Sequence, residues 1–244
     1  MKVKSHTQRA ALVTGGAKRI GHALCLKLNA LGFAVALHYH HSKKEAQDLA
    51  REINNEGGVC ETFECDLNDL QATSTLIQRV VQRFPKLEIL INGASIFEKS
   101  QFKTCTINSL EQNLNIHFKA PFILSRDFAN IVKRGHIINF LDTNVVKNSS
   151  QHFAYLITKK ALYELTNMLA VELAPDIRVN AIAPGFILPP NNKGQRSDVN
   201  ALLQSIPLRR KGEVSHVTKS VEFLLSHDYL NGQIIFNDGG QHLT

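Results

Sequence analysis

Tyr155 and Lys159 stand four positions apart in a stretch with helical periodicity, so their side chains share one face. A free tyrosine ionises near pH 10; a neighbouring ammonium favours the phenolate and brings the group within reach of proton transfer at neutral pH. Asp142 lies before the pair, at the end of an apolar run. An ionised carboxylate there acts in the opposite direction and keeps the phenol protonated as a donor. It could equally accept a hydrogen bond from a substrate or an ordered water. Tyrosine–lysine pairs at this spacing occur on many helices, and order is what singles this one out. It follows a glycine-rich turn, Thr14-Gly15-Gly16-Ala17-Lys18-Arg19-Ile20-Gly21, and a second turn, Asn92-Gly93-Ala94-Ser95.

Glycines in the first turn let backbone come close to a pyrophosphate, and a helix N-terminus there offers amide donors and a partial positive charge. Gly15, Lys18, Arg19, Ile20 and Gly21 are therefore candidate cofactor contacts. The second apolar run ends in His38-Tyr39-His40-His41-Ser42-Lys43, without the Asp or Glu that would accept from a ribose 2′-hydroxyl. A carboxylate repels a 2′-phosphate, whereas His40, His41, Ser42, Lys43 and Lys18 can donate to one, so NADPH is expected over NADH. The histidines are not expected to bind a metal, because no acidic or thiol partner completes a tetrahedral set. Asp66, with Leu67 beside it, follows the third run and could accept from an adenine amino group. The Asn92–Ser95 backbone falls where a nicotinamide ribose would lie.

The elements that must position these residues alternate along the chain. Apolar runs at 10–14, 34–38, 59–64, 87–91, 136–141, 178–182 and 233–236 read as strands buried on both faces. Between them, 19–31, 43–55, 70–84, 108–133, 154–173 and 213–226 carry helical periodicity. This pattern implies right-handed crossovers and an α/β fold: one doubly wound parallel sheet of about seven strands, helices on both faces, in a single domain over 1–244. Ligands in such sheets sit beyond the carboxyl ends of the strands, where the candidate residues cluster. Segment 186–206, with Pro189-Pro190-Asn191-Asn192, lacks periodicity and reads as a mobile loop.

With 43% hydrophobic and 20% charged residues, the 244-residue chain can bury a substantial core. Cysteines at 25, 60, 65 and 105 form no CxxC pair and fit a reduced, cytoplasmic protein. The opening MKVKSHTQRAALVTGG lacks the apolar stretch of a leader, and no run approaches the roughly 20 apolar residues of a membrane span. A net charge of +7 is scattered rather than gathered on one helix, so neither nucleic acid nor membrane is expected as a partner, although the field attracts a polyanionic small molecule.

TGGAKRIG, NGAS, the YxxxK spacing and the NAIAPG that follows together resemble the short-chain dehydrogenase/reductase family across essentially the whole chain. The resemblance implies a Rossmann-like fold, NAD(P)H, a homotetramer and a Ser–Tyr–Lys set. Tyr155 would be the acid/base, Lys159 would orient the ribose and tune Tyr155, and Pro184-Gly185 would abut the nicotinamide. Pairing of 108–133 and 154–173 across subunits is likewise implied, with Ala161, Leu162, Leu165, Met168, Leu169 and Leu173 supplying the surplus of apolar faces.

The departures are informative. Arg19 stands where the family's turn has glycine, Asp142 where its serine lies thirteen positions before the tyrosine, and His117 where its helix asparagine lies. Lys18-Arg19, HYHHS, Phe97 and Asp142 resemble pteridine reductases, and IHF-A-PF, Asp142–Val146 and DGGQHLT resemble bacterial dihydromonapterin reductases. A serine hydroxyl suits a ketone; reducing a ring C=N needs hydride at carbon and a proton at nitrogen. The expected substrate is thus a small-molecule dihydropterin, bound by Arg19, Ser95, Phe97, Asp142 and Tyr155, with Asp142, Tyr155 and Lys159 as the catalytic set. Phe97 offers a flat face to the ring, or else anchors its loop; Arg19 reaches the pterin oxygen, or else is a surface cation. His117 is open between a proton relay and a satisfied helix residue. Two other functions are consistent with part of the pattern: a carbonyl reductase acting on a 3-oxoacyl thioester, and a non-catalytic NADPH-binding sensor.

Overall fold

Residues with no polar atom to satisfy on either face make up most of the strands, and they assemble into a sheet covered on both sides. The structure, a computed structural model, describes residues 7–149, 151–188 and 199–244. Strands β1 (Ala10–Val13), β2 (Ala34–Tyr39), β3 (Cys60–Glu64), β4 (Leu87–Asn92), β5 (Gly135–Phe140), β6 (Ile177–Pro184) and β7 (Ile234–Asn237) form one sheet in the order β3-β2-β1-β4-β5-β6-β7, with every pairing parallel. Alternation splits each strand between two cores. Ala11 and Val13 pack with helices α1 (Arg19–Ala30), α2 (Lys43–Asn55) and α8 (Val214–Ser226), whereas Ala10 and Leu12 pack with α3 (Leu70–Arg83), α5 (Ala120–Ile131) and α6 (Phe153–Glu172). This is the doubly wound parallel sheet that the alternating pattern predicts and the Rossmann-like fold that the resemblance implies.

Local chemistry sets the helix limits. The α2 positions Ala46, Leu49, Ala50 and Ile53 are buried at helical spacing under an otherwise polar sequence. Asp69 caps α3 by accepting from the amides of Gln71 and Ala72.

Two expectations need correction. The single helix expected over 108–133 is α4 (Ile107–Leu114) and α5 joined through a π-turn at Asn115–Lys119. One extra residue per turn leaves the apolar rhythm on either side intact, so the sequence pattern hides it. Within the stretch read as an unstructured loop, α7 (Val199–Ser205) is helical; 189–198 lie outside the described residues. Among the described residues no helix is long and apolar enough to cross a membrane.

The chain winds from β1 towards β3 in one direction and from β4 towards β7 in the other. The loops after β1 and β4 therefore diverge at their shared boundary and leave the crevice that such sheets use for ligands.

Candidate active site

The glycine turn after β1 forms one wall of that crevice. Gly15 has φ +69°, and a Cβ built on it would lie 2.9 Å from Cα of Ala94, so only glycine allows the two loops to meet. His38, at an inward position of β2, fixes the turn: its Nδ1 accepts from the Gly15 amide at 3.0 Å and its Nε2–H donates to Cys65 O at 3.0 Å. Burial holds this imidazole down to about 4, so it is neutral, as the two bonds require. Thr14 ties the walls together, its Oγ1 accepting from the amides of Gly93 (2.9 Å) and Ala94 (3.1 Å). His38 and Thr14 were not singled out from the sequence; a histidine inside the otherwise apolar AVALHY run is the signal that finds it.

Arg19 adopts φ +56°, which explains why glycine is the common residue at this place in the turn. Its guanidinium donates to Leu188 O at 3.4 Å, bridging the glycine turn to the chain beyond β6. Lys18 caps α1 and pairs with Glu45 at 2.7 Å. No acidic residue lies in the first turn of α1. At the end of β2 the His40 and His41 rings lie 3.5 Å apart, and Ser42 caps α2 with no capping bond from its own side chain. Asp66 comes within 3.6 Å of His40, and Leu67 is buried in the core, so only its backbone can serve a ligand. The Asn92 side chain points away as well, donating to Asn139 Oδ1 at 2.8 Å. A cradle closed to any Cβ at Gly15, donors rather than carboxylates at the end of β2, and an N-terminal helix turn free of acids together fit a phosphorylated dinucleotide.

The other wall comes from β5, the 3₁₀ turn at Thr143–Val146 that follows it, and α6. Asp142 Oδ1 accepts from the Asn144 amide (2.8 Å) and side chain (2.9 Å), which leaves Oδ2 to accept from the Tyr155 hydroxyl at 3.0 Å. Burial, then the charge and hydrogen bond of Asp142, push the Tyr155 phenol well above its ordinary value, against a hydrogen bond with Ser95 that pulls it down. Lys159 is buried with its ammonium 5.8 Å from the Tyr155 ring centroid, and it donates to Phe140 O at 2.6 Å. Burial holds Lys159 down to about 8, although Asp142 draws it upward. Burial and the carboxylate together outweigh the Ser95 bond, so the phenol holds its proton.

Phe97, 45% exposed, meets Tyr155 edge-to-face at 4.8 Å and stacks on His152 at 4.2 Å. The π-turn brings His117 beneath this loop: its Nε2 accepts from the Ile96 amide at 3.1 Å with Ser95 Oγ at 3.0 Å, and its Nδ1 lies 3.2 Å from Thr158 Oγ1. Accepting at Nε2 places the proton on Nδ1, and burial, aided by the Lys159 charge, drives the group well below its ordinary value. The ring, edge-on to Tyr155 at 5.2 Å, is thus a neutral clamp between the 95–97 loop and α6. Pro184 ends β6, and the Gly185 amide donates to Asn237 O at 3.1 Å. Tyr155 touches Asp142, Ser95 and Phe97, with the Lys159 ammonium 5.8 Å from its ring; Lys18 and His40 to Ser42 lie at the β2 end of the crevice.

The chain is similar in sequence and fold to known proteins. The family described as enoyl-(acyl carrier protein) reductase matches residues 15–242. The chain is 31% identical over 240 residues to the oxidoreductase YohF of Escherichia coli, covering 95% of each. It is 29% identical over 242 residues to the 3-oxoacyl-[acyl-carrier-protein] reductase FabG of Staphylococcus epidermidis, covering 96% of this chain and 99% of that one. Among solved structures, FolM alternative dihydrofolate reductase 1 from Brucella suis, in complex with NADP, matches with a TM-score of 0.89 and 33% identity over 97% of this chain and 96% of that one.

Proposed function

Since this chain belongs to the short-chain dehydrogenase/reductase family, we propose that it is an NADPH-dependent reductase that converts a dihydropterin, of the dihydromonapterin or dihydrobiopterin type, to the tetrahydropterin. The observation that carries this reading is the Asp142 carboxylate holding the Tyr155 hydroxyl at 3.0 Å in the place where the family's serine would stand.

The cofactor is NADP(H), as in the matched structures, and when bound it supplies a hydride to the ring carbon of the remaining C=N bond. The chain's own task is the proton that the ring nitrogen must gain. A phenol pushed upward by burial and a carboxylate keeps its proton at neutral pH and can donate it where negative charge develops. The Asp142 carboxylate accepts from the N–H groups that a pterin presents, whereas it would repel the oxygen of a ketone. Phe97 offers its ring as one face of a slot for a flat heterocycle. Arg19, held in a backbone conformation that costs a non-glycine residue roughly 1–2 kcal/mol, donates from the glycine turn to Leu188 O and is the candidate donor to the pterin oxygen. Lys159 holds positive charge beside the ribose site. The FolM relatives carry dihydrofolate reductase in their names, which supports dihydrofolate as a second, weaker substrate.

The 3-oxoacyl thioester reading is favoured by the FabG relatives. The residue at 142 weighs against it, since a carboxylate cannot donate to a ketone. NADPH oxidation with a panel of dihydropterins and acetoacetyl thioester separates the two. Turnover of the thioester alone rejects the pterin reading. The reading includes a cytoplasmic homotetramer, supported by four free thiols and by apolar residues exposed on α5 and α6.

A further inference from the structure

The turn that follows Asp142 is bonded to the chain beyond β7. Thr143, the next residue, is buried, and its hydroxyl donates to Oδ2 of Asp238. The Asp238 side chain is itself almost wholly buried and also accepts from the Gly240 amide (3.0 Å), the His242 amide (2.7 Å) and His242 Nδ1 (2.9 Å). Burying a carboxylate costs several kcal/mol unless bonds offset it. Three of its four bonds come from its own segment, and the fourth is the link to the Asp142 turn.

The same segment grips the neighbouring chain at other points. Lys147, closing the 143–146 turn, donates to the carbonyls of Gln241 and Thr244. Gln241 Oε1 accepts from the Phe186 amide at 3.2 Å, and a Cβ on Gly185 would lie 2.6 Å from Cβ of Asp238. Gly239 O accepts from the Leu208 amide at 3.2 Å, and the Thr244 hydroxyl donates to Ser205 O at 2.8 Å. Stretch 238–244 thereby ties the turn after β5 to both Phe186 and Ser205.

We infer that Asp238 is a positioning residue: acting through the Thr143 hydroxyl, it fixes the turn that directs Asp142 at Tyr155. The inference rests on the proposed role of Asp142 at the reacting end of the crevice. Removing the Thr143 hydroxyl severs only the bridging bond and leaves the other three on Asp238 intact, so the link can be tested without unpicking the segment.

The test compares Thr143→Val, which keeps the shape and loses the hydroxyl, with Thr143→Ser, which keeps the hydroxyl. Two readouts are taken: kcat with a dihydropterin beside the Kd for NADPH, and the alkaline titration of Tyr155 followed by carbon NMR on tyrosine-labelled protein without ligands, the signal assigned with Tyr155→Phe. Thr143→Val is expected to lose about tenfold in kcat, the equivalent of one buried hydrogen bond of about 1.4 kcal/mol, with NADPH binding unchanged. Its Tyr155 signal should titrate at lower pH than in wild type, because a loosened carboxylate no longer opposes ionisation. Thr143→Ser should match wild type in both. A Tyr155 titration unmoved in Thr143→Val, or Thr143→Ser as impaired as Thr143→Val, overturns the inference. Failure of the wild type to turn over any dihydropterin rejects the proposed function instead, and the ligand-free titration still decides the role of Asp238.

Discussion

A phenol in contact with a carboxylate is a reluctant acid, and that reluctance distinguishes this site from one built around a hydroxyl. Removing the phenolic oxygen in Tyr155→Phe, or the carboxylate in Asp142→Ala, should lower kcat by about 10²–10⁴-fold, measured as NADPH oxidation with a dihydropterin. An Asp142→Ala enzyme with wild-type kcat would remove Asp142 from the reaction. Lys159 gives a second prediction through pH. Burial lowers it from 10.5 to about 8, so the ammonium is present below pH 8 and lost above it. If it binds the cofactor, kcat/KM for NADPH declines as pH rises through about 8. Stability moves the other way: between about 8 and 10.5 the unfolded chain holds a proton that the folded one lacks, and this group then favours folding more as pH rises. A flat kcat/KM profile up to pH 9 would show that the charge is not used. The residues of this centre are legible in sequence because Tyr155 and Lys159 share one helix and Asp142 precedes them at fixed spacing. Thr143 and Asp238 are not, since their bond joins β5 and β7 turns that are distant in the chain.

Elements place these groups by close approach and by register. At Gly15 the approach is backbone to backbone, and no rotamer change can relieve a Cβ placed 2.9 Å from Ala94 Cα at φ +69°. Gly15→Ala should therefore lose roughly 1–2 kcal/mol from the left-handed conformation alone, seen as a lower Tm, and should weaken NADPH binding in calorimetry. Unchanged affinity would mean that the turn does not cradle the cofactor. Register matters at the π-turn, which rotates His117 under the 95–97 loop. With both ring nitrogens engaged, His117 acts as a clamp rather than a relay. His117→Ala should raise the dihydropterin KM about tenfold, in line with one lost hydrogen bond, and leave the Kd for NADPH unchanged. A large fall in kcat at constant KM would instead assign it to proton transfer. The strands and most helix limits could be read directly, because β1, β2 and β4 are apolar on both faces and α2 shows an unbroken polar–apolar rhythm. The π-turn could not, since it leaves that rhythm undisturbed on either side, and the turn of helix at Val199–Ser205 lacks an apolar stripe strong enough to declare itself.

On the scale of the molecule, α6 serves two purposes with opposite faces. Inward, it presents Tyr155 and Lys159, and its Leu162 and Leu165 fill the protein's own core, so these two leucines do not supply the surplus apolar face that the sequence suggested. Outward, Ile157, Met168 and Val171 follow one another at helical spacing and are exposed, and α5 adds Phe122 and Ile131. Ile157, Met168 and Val171 share one exposed face of α6, the pattern of a contact surface rather than the scattered apolar residues of an ordinary exterior. A symmetric dimer formed on this face would bury both copies of the stripe and brace the helix that carries the phenol, and closed symmetry of a second kind would complete a tetramer. Light scattering on the purified protein is expected to give four times the mass of one chain. Introducing like charges on the stripe, as in Met168→Glu with Val171→Glu, should split the assembly, because each contact would then bury unpaired carboxylates. A wild-type protein that elutes and scatters as one chain, or a double variant with the mass unaltered, would show that this face is not where copies meet.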